Sequence, residues 1–313
     1  MNPRSNPLLG ILLSLLSTIG FTLMGAMVRY LGDRVPVGEL VFARNFVVLA
    51  TLALVLGWRG KLIDAFRTKN FRGHVFRSFA NIISIFCNFS GLARIPLAEA
   101  TAIGFATPLF TVVLAATFLR ETVRLWRWSA VLVGFAGVLI MLSPHFGGAA
   151  HGTEAALGAV LVLIGALLIA VVTTQIRYLS KTEATPTLLL YYSLFAMIVS
   201  LGTLYWGWVL PSPGDFLALV GVGVFGGMGQ TLITESVRRA PASVVAPFGY
   251  AAMLWSTLIG YLWFGELPAT IVFAGAAIVI GSGLFVIWRE RQLGLERAQA
   301  KEIPAPPVGP PTG

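Results

Sequence analysis

The chain has 313 residues, of which 57% are hydrophobic and only 11% charged. A soluble domain carries roughly 25% charged residues, so this composition, with a mean hydropathy of +0.83, excludes an ordinary soluble globule. The net charge of +9 would suggest nucleic acid in a soluble protein, but here the basic residues sit in short loops between apolar runs, where they set membrane orientation. No nucleic-acid partner is expected.

A membrane-spanning helix needs about 20 mostly apolar residues. Ten runs qualify: 8–31, 37–57, 74–93, 97–119, 126–142, 155–179, 185–209, 216–237, 242–264 and 269–288. The first follows Arg4, is longer than the apolar core of a cleaved leader and lacks a small-residue cleavage site, so it reads as a retained helix. Ser14, Thr18, Gly25 and Arg29 fall in one wedge of it. That wedge suits close helix packing, with Thr18 a candidate solute contact.

Run two carries Arg44 and run four Glu99, each near the outer end. Ionisable groups in a span are costly and are usually paired or functional. The two are expected to pair with each other, as a structural or gating salt bridge, and a loss of Glu99 alone would then strand Arg44.

Run three is the least apolar. Arg77, Asn81, Ser84 and Asn88 recur at helical spacing on one face, with Phe79, Ile83 and Phe86 opposite. Amides facing lipid would be left unpaired at several kcal/mol each. The stripe therefore faces either a wet cavity or neighbouring helices. Arg77 is either part of it or an anchor at the cytoplasmic headgroups.

In run eight, five glycines (Gly221, Gly223, Gly226, Gly227 and Gly229) precede Gln230, Thr231, Thr234 and Glu235. Such density permits bending or close packing. Glu235 is a candidate for proton coupling or, beside Arg238 and Arg239, a surface ion pair. Run nine offers Tyr250, whose ring could meet a solute or only pack. Glu121 and Glu266 precede runs five and ten, where a carboxylate can cap a helix N-terminus. The segment 289–313 is expected to be a cytoplasmic tail, with the Pro- and Gly-rich part from Ile303 disordered.

With the N-terminus cytoplasmic, nearly all loop arginines and lysines fall inside, and only Arg34 and Arg94 outside. This places both termini in the cytoplasm. The single cysteine, Cys87, cannot form an intrachain disulfide, and His74, His145 and His151 show no metal spacing. No metal or cofactor is expected.

The chain also repeats. Arg94-Ile95-Pro96-Leu97-Ala98 aligns with Arg239-Ala240-Pro241-Ala242-Ser243, and Glu121 with Glu266, at an offset of 145. Arg29-Tyr30-Leu31 aligns with Arg177-Tyr178-Leu179, and Gly10 with Gly158, at an offset of 148. Five spans per half is an odd number, so the halves are inverted. The fold class is therefore all-α integral membrane, ten transmembrane helices as two inverted five-helix repeats (8–143 and 155–288). Inverted repeats supply the two exchangeable conformations that secondary transporters use.

The stretches Ile95-Pro96-Leu97-Ala98-Glu99-Ala100, Ala106-Thr107-Pro108-Leu109, Glu121 and Gly134-Phe135-Ala136-Gly137-Val138 resemble the EamA module of the drug/metabolite transporter superfamily. The second half resembles it in Ala240-Pro241-Ala242-Ser243, Phe264-Gly265-Glu266 and Gly275, and Arg44 matches a common arginine of span two. The chain departs from the pattern at Arg120, where the family usually has glycine, and at Met253, which stands opposite Pro108. The resemblance implies a ten-helix basket whose cavity is lined by spans three, four, eight and nine with parts of one and six, while five and ten pack outside.

The expected function is secondary active transport of a small polar organic solute, an amino acid or amino-acid derivative, across a bacterial inner membrane by a monomer or homodimer. The alternative solute is vitamin- or nucleoside-like, such as riboflavin or S-adenosylmethionine. The substrate-contact candidates are Arg77, Asn81, Ser84, Asn88, Tyr250 and Thr18. An intramembrane enzyme lacks a nucleophile–base pair or metal cluster, and a channel or scaffold would not show saturable flux. The partners expected are the solute, membrane lipid and a coupling proton.

Overall fold

The computed structural model describes residues 6–118, 125–146, 153–179, 183–240 and 242–302. Arg120, Glu121 and the tail from Ile303 lie outside these residues. The described chain is helical throughout: α1 (Pro7–Leu31), α2 (Val37–Trp58), the short α3 (Leu62–Ala65), α4 (Phe71–Arg94), α5 (Leu97–Gly104), α6 (Thr107–Phe118), α7 (Leu125–Phe146), α8 (Thr153–Leu179), α9 (Thr185–Gly202), α10 (Pro213–Arg239), α11 (Ala242–Val245), α12 (Ala251–Phe264) and α13 (Thr270–Glu302). Among the described residues, nine segments are long and apolar enough to cross a membrane. Large apolar side chains such as Leu54, Leu132 and Leu254 point outward to lipid.

The expected ninth span is segmented. It is built from α11, a 3-10 turn over Ala246–Tyr250 and α12. The fourth is segmented as well, between α5 and α6. Each break lies beside a proline, Pro247 or Pro108, which cannot donate the backbone bond a continuing helix requires. At the first break, the amides of Phe105 and Ala106 bond three residues back instead, to Ala102 and Ile103. The breaks are repeat-equivalent, and their aromatics meet. Phe105 and Tyr250 stand edge to face, ring centroids 5.1 Å apart.

The helix pairs obey the same inverted symmetry. α1 packs along α10, and its repeat counterpart α8 packs along α4. Gly10 lies on the backbone of Ser236 and Ala240, and Gly158 on Arg94, Ile95 and Gly91. Small residues at these crossings let the backbones approach closely. α7 and α13 form a third pair at Gly137 and Gly275, each set against the other's carbonyl. The glycines of α10 serve packing. The helix is unbroken, and Gly221, Gly223 and Gly229 receive Met27, Val47 and Phe21. α13 continues past the expected end of span ten, to Glu302.

Candidate functional site

A cavity of about 520 Å³ lies between α1, α2, α4, α8, α9 and α10. The resemblance implied spans four and nine in the wall. Spans two and seven (α2 and α9) take their place, because α5, α6 and α12 pack with α7, α8 and α13 into a separate apolar core around Ile103, Leu109, Met141 and Val279.

The whole stripe of α4 lines the cavity: Arg77, Asn81, Ser84 and Asn88. Asn70 caps this helix by accepting from the Gly73 amide at 3.0 Å, which sets its start and hence the facing of the stripe. Phe79 and Ile83, opposite, are exposed. The stripe also bonds its neighbours. Arg77 Nη1 donates to Leu188 O on α9 at 2.8 Å, and Ser84 Oγ to Gly165 O on α8 at 3.0 Å. Asn88 Nδ2 bonds back to Ser84 O at 2.9 Å. Cavity lining and interhelical bonding therefore coexist on one face. Arg77 is no headgroup anchor, being only 4% exposed.

Arg44 also lines the cavity, but the ion pair expected with Glu99 is not formed. The Arg44 guanidinium turns toward α9 and α10, where Nη1 donates to Tyr192 Oη at 3.0 Å and Nε passes beside Gly226. Glu99 is buried on α5, within the other core. Arg44 therefore reads as a cavity residue rather than half of a gate.

Three other sequence candidates stand outside the lining. Thr18 Oγ1 accepts from Trp255 Nε1 at 3.2 Å and so ties α1 to α12. Tyr250 packs against Phe105 and Gly283. Glu235 pairs with Arg239, one turn on, at 3.4 Å. Tyr192, Asn45, Ser193, Thr173 and Gln230 complete the polar wall. Sequence reasoning assigned none of these to the site. The Tyr191-Tyr192-Ser193 run inside span seven and the Arg44-Asn45 pair in span two were the available signals.

Two polar clusters flank the helix ends. At one end, Gly265 takes a positive φ of 66° and closes α12 with its amide on Tyr261 O. The turn delivers Glu266 to Arg29, Nη2 to Oε1 at 2.7 Å, while Arg29 Nη1 donates to Ala93 O at 2.6 Å. Glu266 thus bridges the halves rather than capping the next helix. At the other end, Glu183 Oε1 accepts from the Thr68 hydroxyl at 2.9 Å and from the amides of Lys69 and Asn70 at 2.8 and 3.0 Å. Burial pushes this carboxyl up, but the Lys69 amide, Thr68 hydroxyl and Asn70 amide outweigh it and hold the group below the usual carboxylate range.

The cavity's volume falls within the usual 300–1,000 Å³ or so of small-molecule pockets, and its polar groups converge from both halves of an inverted repeat. The EamA-like transporter family matches residues 8–143 and 156–288. The chain belongs to that family. An S-adenosylmethionine uptake transporter of Rickettsia prowazekii is 29% identical over 284 residues, covering 90% of this chain and 94% of the relative. A riboflavin transporter of Vibrio cholerae is 28% identical over 305 residues, covering 95% and 99%. A pseudopaline exporter of Pseudomonas aeruginosa is 25% identical over 272 residues, covering 87% and 93%. A crystal structure at 20% identity shares the fold, with a TM-score of 0.61 over 89% of this chain and 98% of the other. This EamA-like protein is thus a multi-pass membrane protein of a transporter family. Among its described residues, no group of three or more His, Cys, Asp or Glu could hold a metal.

Proposed function

We propose that this EamA-like protein is a secondary transporter of a small polar organic metabolite, an amino acid or amino-acid derivative, working in a bacterial inner membrane with both termini cytoplasmic. The observation that carries the reading is the cavity itself. Its polar groups belong to five helices drawn from both repeats, so a shift of one repeat against the other would carry the site from one side to the other. One chain encloses it, so a monomer suffices. Arg77, Asn81, Ser84 and Asn88 supply solute contacts from α4, and Arg44 and Tyr192 face them from α2 and α9.

Thr18 and Tyr250 would meet solute only if the broken fourth and ninth segments move. Glu235, five residues beyond the cavity residue Gln230 on α10, is the acid proposed to couple flux to protons. The relatives' names favour a second reading. Uptake of S-adenosylmethionine and transport of riboflavin are named for proteins nearly as long as this chain. Initial-rate uptake into proteoliposomes, with labelled amino acids, riboflavin and S-adenosylmethionine, tests both. Saturable uptake that falls at least tenfold in Asn81→Ala is expected, a loss of about 1.4 kcal/mol. Saturable uptake unchanged in Asn81→Ala, Asn88→Ala and Arg77→Lys would move the site elsewhere.

A further inference from the structure

The cavity lining carries two arginines, Arg44 and Arg77, and no aspartate or glutamate. Both guanidiniums are committed on one side only. Arg44 Nη1 donates to Tyr192 Oη and Arg77 Nη1 to Leu188 O. Leu188 and Tyr192 stand one turn apart on α9, so both cations are tethered to the same stretch of that helix. The Nε of each is buried and donates to nothing. Ser193 Oγ, on the next residue of α9, is likewise buried without a partner. The large majority of buried side-chain polar atoms are hydrogen-bonded, and a buried cation without a counter-charge is costly.

From this we infer that the solute carries a carboxylate that bridges Arg44 and Arg77, and that it crosses as a net anion. The inference rests on the carrier reading above and names the substrate class of the same site. A planar two-oxygen anion matches the guanidinium fork. It would supply the counter-charge that the lining lacks, with Ser193 and Asn81 left to bond its polar remainder. A cationic solute would find repulsion and no counter-charge in this wall. A neutral solute would leave both charges uncompensated.

Counterflow by the purified full-length protein in proteoliposomes tests it. The probes are N-acetyl amino acids and dicarboxylates as anions, their carboxamides as matched neutrals, riboflavin as a second neutral, and S-adenosylmethionine as a cation. The expected result is saturable flux of at least one anion, with its carboxamide at least tenfold weaker. Arg44→Lys and Arg77→Lys keep the charge but lose the fork, and each should raise KM for the anion about tenfold. The same anion should raise the melting temperature of wild-type protein in detergent, and less so in either variant. Saturable flux of neutral or cationic probes alone, indifferent to both lysine variants, would overturn the anion inference and leave the carrier reading standing. Absence of saturable flux for every probe, with folded protein in the vesicles, would overturn both.

Discussion

Glu183 shows how a single carboxylate can fix a loop. It precedes α9, yet it holds the segment that starts α4 through three donors from Thr68, Lys69 and Asn70. Its pKa is depressed in the folded state, so its contribution is present above the ordinary carboxylate range and lost as pH falls through the depressed value. Glu183→Gln should therefore cost about 1–3 kcal/mol near neutrality, and the gap from wild type should close in acid. Melting curves in detergent from pH 3 to pH 8 read this, and a gap independent of pH would contradict it. At this scale the sequence was legible in part. The α4 stripe was readable because a row of amides in a lipid-facing helix leaves only one face for them. Tyr192 was not, because a tyrosine in a span more often marks an interface or packing than a cavity. The Arg44–Glu99 pairing failed because position along a span does not fix the rotation of α2 and α5 about their axes, which decides what each group meets.

At the scale of elements, the glycines separate into those that permit contact and those that do not. Gly137 of α7 lies against the Gly275 carbonyl, where an added Cβ would come within 2.8 Å of the oxygen. Gly281, also on this helix pair, has nothing within 4 Å. Gly137→Ala should destabilise by about 1–3 kcal/mol through overpacking. Gly281→Ala should be neutral or slightly stabilising, since alanine favours the helix by up to about 1 kcal/mol. Thermal denaturation of the two variants separates them, and equal melting points would contradict the packing account. Spans and repeat were readable from hydropathy and the 145-residue register. The breaks in spans four and nine were less so, because a proline within an apolar run looks the same in a kinked helix and in a segmented one.

For the whole molecule, the inverted pairing of α1 with α10 and α8 with α4 gives two related halves, both of which line the cavity. The proposed orientation has an accessible test in the Cys87→Ser background. Leu210→Cys, at a 99% exposed position assigned to the outside, should react with a membrane-impermeant thiol reagent in intact cells. Ile63→Cys, in the loop assigned to the cytoplasm, should react only after permeabilisation. The reverse pattern would invert the topology. What separates a carrier from a channel or scaffold is exchange across the membrane. Counterflow in proteoliposomes preloaded with unlabelled solute measures it directly. The account predicts a transient accumulation of labelled solute above equilibrium, abolished when the internal solute is omitted. Flux that is linear in concentration and blind to the internal solute would contradict the alternating-access reading.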